Sequence, residues 1–360
     1  MNMLVGCPAE TEWHENRVAV TPEVVARLRR SGLDVIVEAG AGRHASFPDE
    51  AYVAAGARVA ERSEVFAEAD VLAVIRRPDC ARLRAGQIVI GLLQPYDAPE
   101  ELAAVTALAF EGLPRTLSRA QSMDVLSSQA NVAGYKSAVL AADTFGGFFP
   151  MMMTAAGTVR PAKVLVLGGG VAGLQAMGTA RRLGALVTGY DVRTAARADI
   201  ASTGAAVLDL GVTAEGEGGY ARALTAAEQA AQRRALVDAI GSFDVVITTA
   251  QVPGHRPPEL VPAEALAVMA PGSVVVDLGA GPFGGNVAGS VPDGQTVTEN
   301  GVVVVGAGNL PAQVPRAASS AWARNVAALL EHLTRDGSVV VDPEDDITAG
   351  LLVRAKERVS

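Results

Sequence analysis

The stretch Lys163-Val-Leu-Val-Leu-Gly-Gly-Gly-Val-Ala-Gly173 decides the fold of this chain. Its first five residues, apolar after Lys163, have the pattern of a strand buried on both faces of a parallel sheet. Gly168, Gly170 and Gly173 follow with the spacing G-x-G-x-x-G and open a helix-forming segment. There the first glycine permits a tight turn, the second lets a pyrophosphate approach the backbone, and the third lets helix and strand pack closely. We predict that a dinucleotide binds at the N-terminus of this helix, beside Val171.

The residue that selects the dinucleotide follows the next predicted strand, Leu186–Tyr190. Asp191 lies close to the offset, roughly 20 residues after the glycines, of the acid that binds the adenosine ribose. A carboxylate there repels a ribose 2′-phosphate, so NAD(H) is favoured over NADP(H). Arg193 leaves an alternative open, because an arginine at this place either accepts that phosphate or pairs with Asp191. We assign Val192 and Arg193 to the same cofactor site.

Strand-like and helix-like segments alternate on both sides of this stretch, which predicts an α/β protein. The first alternation runs from residue 3 to about residue 110, a long helix is predicted over about 123–144, and the second alternation begins at Lys163. We therefore predict two doubly wound, Rossmann-like parallel-sheet domains with a cleft between the lobes. The expected boundaries are 1–125 plus 315–360 for the first lobe, 126–145 for a linker helix and 146–314 for the NAD(H)-binding domain.

Composition excludes several classes of function. The net charge is −9, which leaves no basic stripe for nucleic acid and no basic patch for acidic lipids. Charged residues such as Lys136 and Asp143 interrupt the apolar runs before they reach the roughly 20 residues of a spanning helix, so we expect no membrane insertion. Two cysteines and four scattered histidines make no ligand spacing. We predict no metal site and a cytoplasmic location.

Two further polar segments have more than one interpretation. The segment from Arg115 to Ser128 is dense in hydrogen-bonding groups, which suits a ligand amide or ribose. The alternative is a helix cap, in which Ser118 and Gln121 form a capping box while the acid and hydroxyls that follow face water. The charged segment Glu10–Arg17 is compatible with a solvated loop before a helix capped by Thr21.

Several motifs carry a resemblance to a known family. The chain resembles, over nearly all of its length, the NAD(H)-binding alpha subunit (domain I) of proton-translocating NAD(P) transhydrogenase and, more distantly, alanine dehydrogenase. The long string Ser118–Tyr135 is the most specific match. The supporting matches are Phe149–Thr158, Gly218–Ala221, Thr248–Ala250 with Pro253 and Gly254, Gly284–Asn286 and Asn309–Pro311.

The resemblance implies roles for individual residues. Gln121, Asp124 and Ser127 would hold the nicotinamide and its ribose, with an arginine beside them. Arg115 matches the family's arginine, but one extra residue before Gln121 keeps Arg119 as an alternative. The other cofactor contacts that it implies are Gly219 and Tyr220, in a mobile loop that closes over NAD(H), together with Ala250 and Asn309.

At two positions the chain departs from the pattern of alanine dehydrogenases, and these positions distinguish the two related groups of proteins. Alanine dehydrogenases carry a lysine and a histidine for substrate binding and proton transfer, where this chain has Val74 and Gln94. Hydride transfer between two nicotinamides requires alignment rather than a general acid, so the departures favour transhydrogenation. An alanine-dehydrogenase-like enzyme and a non-catalytic NAD(H)-binding protein are the alternatives.

The resemblance also implies partners. The chain would form a homodimer and pass hydride from NADH to NADP⁺ held on a beta subunit. Separate membrane subunits would couple the reaction to proton translocation, which would place the chain in the cytoplasm, peripheral to the inner membrane.

Overall fold

The computed structural model confirms the α/β class and the parallel Rossmann-like sheets predicted from the sequence. The chain divides into two compact units, each with its own sheet and core. One contains the residues up to Gln129 and from Pro311 onwards, and the other runs from Ala130 to Leu310. The structure describes residues 2–214, 222, 224–251 and 256–353.

The sheet of the first unit is parallel throughout and doubly wound. Its strands are β1 (Leu4–Cys7), β2 (Asp34–Glu38), β3 (Arg58–Ala60), β4 (Val71–Arg76), β5 (Ile88–Leu92) and β6 (Thr106–Ala109). The helices between them are α1 (Pro22–Arg30), α2 (Asp49–Ala54) and α3 (Arg62–Glu68). The strand order β3-β2-β1-β4-β5-β6 shows that the chain winds outward in both directions from β1.

Helix α1 illustrates how local sequence sets these elements. Pro22 occupies its first turn, where the fixed φ of proline suits a helix. Val24, Val25 and Leu28 bury one face of the helix in the core. Thr21 lies at the N-cap position as predicted, but its side chain makes no capping hydrogen bond.

The second unit begins within the long predicted helix, which is α4 (Val125–Thr144). Its strands are β7 (Met152–Thr154), β8 (Gly157–Val159), β9 (Lys163–Leu167), β10 (Leu186–Tyr190), β11 (Ala206–Val207), β12 (Val245–Thr248), β13 (Val274–Asp277), β14 (Gln295–Val297) and β15 (Val303–Gly306). Its other helices are α5 (Val171–Arg182), α6 (Ala195–Ser202), α7 (Ala226–Ile240) and α8 (Ala263–Val268). The sheet order is β11-β10-β9-β12-β13-β15-β14, with only β14 antiparallel to its neighbour. The point where the winding reverses lies between β9 and β12, which is where open α/β sheets bind ligands.

Two elements of this unit differ from the sequence expectation. The segment after α4 contains the antiparallel hairpin β7–β8, which the sequence did not predict. Helix α7 was not predicted, although Thr225 and Glu228 form a capping box at its start. That motif is the local signal that could have located the helix.

The chain then returns to the first unit through α9 (Pro315–Leu333), β16 (Thr334–Arg335), β17 (Ser338–Val339) and α10 (Asp346–Leu351). Helix α9 has Pro315 in its first turn, where the fixed φ of proline suits a helix. Its Trp322 is fully buried and packs edge-on against Phe110, with ring centroids 5.7 Å apart. None of the helices in the described ranges is long and apolar enough to cross a bilayer.

Candidate functional site

The glycine turn between β9 and α5 has the geometry that a bound pyrophosphate requires. Gly168 has φ +118°, a backbone conformation that residues with a Cβ rarely adopt. A Cβ on Gly173 would lie 1.8 Å from the Gly168 carbonyl oxygen, whereas a Cβ on Gly170 would meet no atom within 4 Å. The second glycine therefore opens onto free space directly before α5. Because glycine has no side chain, nothing at that position covers the first N–H groups of the helix.

Asp191 follows β10 beside this turn and accepts hydrogen bonds from two directions. The Gly169 backbone N–H donates to its Oδ2 over 2.7 Å. Arg193 donates to the carboxylate from its backbone N–H and Nη2, each over 2.8 Å, and from Nε over 2.9 Å. Burial alone would raise the pKa of Asp191, but the bonds from Arg193 and Gly169 outweigh it and lower the pKa. The acid is therefore ionised at neutral pH.

The pairing of Arg193 with Asp191 is one of the two arrangements that the sequence left open. A carboxylate offers about four lone-pair positions, and the four bonds to Asp191 use them. A ribose hydroxyl that binds this acid must therefore displace the Arg193 guanidinium or share an oxygen with it.

A second cluster lies in the first unit, where Asp124 precedes α4. Arg115 Nε donates to Asp124 Oδ2 over 2.9 Å, and Arg115 Nη2 donates to Ser127 Oγ over 2.7 Å. Ser127 donates to the same carboxylate from its backbone N–H over 2.9 Å and from Oγ over 2.6 Å. Burial alone would raise the pKa of Asp124, but the bonds from Ser127 and Arg115 lower it. These three side chains thus form one charged, hydrogen-bonded cluster.

The structure corrects two details of the helix-cap alternative for this segment. Asp124 is only 8% exposed, so the expectation that it faces water is wrong. The capping-box alternative is also wrong, because the short 3-10 helix Ser118–Met123 has no side-chain cap. Gln121 on that helix is exposed, and its side chain makes no hydrogen bond to the described part of the chain.

Arg119 lies apart from the cluster. Its guanidinium donates to Asp345 over 2.8 Å and to Asp346 over 3.2 Å, at the start of α10. Of the two arginines that the sequence left as candidates, the structure therefore joins Arg115, and not Arg119, to Asp124 and Ser127.

The remaining residues that the sequence assigns to the cofactor site differ in exposure and in contacts. Val171 is 38% exposed at the start of α5, and Val192 packs against the core of its unit. The carbonyl of Ala250 accepts a hydrogen bond from Asn286 Nδ2 over 2.9 Å. Asn309 is half-buried before Pro311. The predicted contacts Gly219 and Tyr220 lie outside the described residues.

The charged segment before α1 is solvated only in part, since residues 11–14 are exposed whereas its end is buried. Glu15 and Arg17 are buried and form an ion pair of 2.6 Å, and Arg17 Nη1 donates to Gln129 Oε1 over 2.8 Å. Sequence reasoning missed this network, since a run of charged residues has the same pattern whether tertiary partners bury it or water surrounds it.

Comparison with known proteins accounts for both units. The family model described as alanine dehydrogenase/PNT, N-terminal domain, matches residues 6–133, and that described as alanine dehydrogenase/PNT, C-terminal domain, matches residues 137–360. The chain belongs to the alanine dehydrogenase/PNT family. This confirms the resemblance inferred from the motifs.

Individual relatives distinguish the two branches of the family. The chain is 41% identical to the first portion of NAD(P) transhydrogenase subunit alpha of Rhodospirillum rubrum, covering 98% of this chain and 96% of the relative. A solved structure of transhydrogenase from Sinorhizobium meliloti has a TM-score of 0.87 at 41% identity, covering 97% of each chain. The alanine dehydrogenase of Mycolicibacterium smegmatis is 32% identical, covering 89% of this chain and 84% of the relative. Alanine dehydrogenase is thus the more distant resemblance.

Proposed function

We propose that this chain binds NAD(H) at the glycine turn of its second unit and passes hydride from NADH to NADP⁺ held by a partner subunit. The observation that carries the proposal is the open Gly170 position at the start of α5, with ionised Asp191 beside it. Helix N–H groups there would bind the phosphates, and the carboxylate would accept from the ribose hydroxyls.

The roles of the chain in catalysis would be binding and alignment. Bound NADH supplies the hydride, and no proton moves between the two reacting nicotinamide rings. We propose that Gln121 and the Arg115–Asp124–Ser127 cluster orient the nicotinamide and its ribose. Val74 and Gln94 support this assignment. The resemblance places them where alanine dehydrogenases carry a lysine and a histidine for substrate binding and proton transfer. Val74 is an apolar residue buried in β4, and Gln94 carries no titratable group.

Calorimetric titration of the purified chain with NADH and with NADPH tests the binding step. Preferential binding of NADH is expected, because Asp191 repels a 2′-phosphate. Equal affinity for both cofactors, or binding of neither, would refute the proposed site.

Arg115→Lys is expected to lower the hydride-transfer rate several-fold, because lysine cannot reproduce the two bonds from one guanidinium to Asp124 and Ser127. Arg119→Lys is the matched control, and its rate should remain within twofold of wild type. The measurement is the steady-state rate of each variant reconstituted with the partner subunits. The assignment fails if Arg119→Lys is the slower variant.

We also propose that the chain forms a homodimer that works with an NADP(H)-binding beta subunit and membrane subunits, and that these partners hold it at the cytoplasmic face of the inner membrane. The hairpin β7–β8 supports the dimer, because an isolated two-stranded hairpin is marginally stable and this one exposes large apolar side chains. The exposed side chains on or beside it are Phe148, Met151, Met152, Met153 and Val159.

Sedimentation equilibrium at micromolar concentration tests the dimer. The expected result is twice the chain mass for wild type and a shift toward monomer for Met153→Glu, which places a charge on the hairpin. A wild-type chain that sediments as a monomer would contradict the proposal.

A further inference from the structure

Asp277, the last residue of β13, is a fully buried carboxylate held by neutral donors. Its Oδ1 accepts from Thr248 Oγ1 over 2.9 Å and from the Gly279 N–H over 2.8 Å. The backbone N–H groups of Asn286 and Val287 donate to it over 3.2 Å each. No lysine or arginine of the described chain pairs with Asp277. The carboxylate therefore ties the end of β12 to both ends of the loop that follows β13.

Two glycines allow this loop to close on the carboxylate. A Cβ on Gly285 would lie 2.2 Å from Asp277 Oδ2, and a Cβ on Gly279 would lie 2.6 Å from Asn286 Oδ1. Any larger residue at either position would force the loop away from the acid. The loop therefore packs directly against the acid, which positions Asn286 beside it.

Asn286 uses this position to hold a second segment of backbone. Its side chain is fully buried, and Nδ2 donates to the carbonyl of Ala250 over 2.9 Å and to that of Pro258 over 2.7 Å. Its own carbonyl accepts from the N–H groups of Leu260 and Val261 over 2.8 and 2.9 Å. One asparagine thus fixes the backbone on both sides of residues 251–257.

Ala250, one of the residues that Asn286 holds, lies at the edge of the sheet where the dinucleotide turn lies. Thr249 N donates to the carbonyl of Leu167 over 2.8 Å, and Thr249 Oγ1 lies 3.4 Å from the carbonyl oxygen of Gly168. A Cβ on Gly168 would meet that hydroxyl oxygen at 2.3 Å. The backbone of Thr249 and Ala250 therefore forms the wall of the turn opposite Asp191.

We propose that Asn286, held in place by Asp277, is a positioning residue that sets the Thr249–Ala250 backbone for NAD(H) binding. The inference rests on the proposed NAD(H) site. Without the Asn286 amide, the carbonyls of Ala250 and Pro258 lose their donor, and the wall of the turn becomes free to move. Dinucleotide binding must then order this wall, so affinity falls.

Asn300 supplies a matched control in the same unit. Its Nδ2 also donates to backbone carbonyls, those of Leu266 and Met269 over 3.0 and 3.1 Å and, at 3.5 Å, that of Ala267. It precedes β15 and so lies at the amino edge of the parallel strands, opposite the edge that carries the glycine turn. Loss of either amide removes side-chain hydrogen bonds to backbone carbonyls at comparable distances.

The test compares Asn286→Ala with Asn300→Ala by calorimetric titration with NADH. We expect the Kd for NADH to rise at least tenfold in Asn286→Ala and to stay within twofold of wild type in Asn300→Ala. In the reconstituted complex at saturating NADH, kcat of Asn286→Ala should remain within about threefold of wild type. The Asn286 amide orders the site before NADH binds, so its loss weakens binding and leaves the bound complex able to react. Asn286→Ser carries the same expectation should the alanine variant fail to fold, since a serine hydroxyl cannot donate to both carbonyls.

The outcomes separate the two proposals. If wild type binds NADH and the two asparagine variants bind it equally well, the positioning role is refuted while the NAD(H) site stands. A lower kcat with unchanged Kd in Asn286→Ala would also refute it. If wild type does not bind NADH, both proposals are wrong.

Discussion

Gln121→Asn is expected to lose about 100-fold in hydride-transfer rate while binding NADH normally, because misplacement of a reacting group by about 1 Å has an effect of that size. The proposed site contains no general acid, so alignment of the nicotinamide is its main contribution. The Gln121 side chain is exposed and makes no bond to the described part of the protein, so its shortening should leave the melting temperature unchanged.

The measurement is the steady-state rate of the reconstituted complex, together with NADH affinity and thermal denaturation of the isolated chain. Ser122→Ala is a matched control, since Ser122 is exposed on the same short helix. Turnover of Gln121→Asn within twofold of wild type would show that the residue does not orient the nicotinamide.

Asp191→Asn is expected to weaken NADH binding tenfold or more, since hydrogen bonds to a charged group contribute about 1.5–3 kcal/mol. The amide cannot accept at both ends as the carboxylate does, so the bonds from Gly169 and Arg193 are also weakened. With the negative charge gone and Arg193 released, discrimination against NADPH should relax.

Calorimetric titration of the variant with NADH and NADPH checks both effects. Asp209→Asn is the control, because Asp209 is an exposed acid of the same unit that pairs with Arg197 over 2.9 and 3.0 Å. An unchanged preference between the cofactors in Asp191→Asn would show that this acid does not select the dinucleotide.

The parts of the fold that the sequence predicted are those set by local pattern. The apolar run Lys163–Leu167 and the glycine spacing after it identify a strand, a turn and a helix that follow one another in the chain. The distance in sequence from the glycines to Asp191 is also a local pattern, because one helix and one strand of ordinary length separate the glycine turn from this acid. The hairpin β7–β8 has no such pattern, since its strands are three residues long.

The features that the sequence could not supply depend on partners distant in the chain. Arg115 and Arg119 are four residues apart and chemically identical, and only their partners distinguish them: Arg115 bonds to Asp124, whereas Arg119 bonds to Asp345, the residue before α10. The burial of Arg17 depends likewise on Gln129, and the contact between Asn286 and Ala250 joins residues 36 positions apart. Motif matching identified several of these residues but not what they contact.

The reaction itself is tested most directly by two assays on the same purified chain. Reconstituted with the NADP(H)-binding and membrane partner subunits, the chain should reduce NADP⁺ with NADH, and removal of the chain should abolish that activity. Alone, with NADH, pyruvate and ammonium, it should oxidise no NADH, because the resemblance implies that Val74 and Gln94 stand where alanine dehydrogenases have the residues for substrate binding and proton transfer. NADH oxidation in the second assay, or no hydride transfer in the first, would contradict the account.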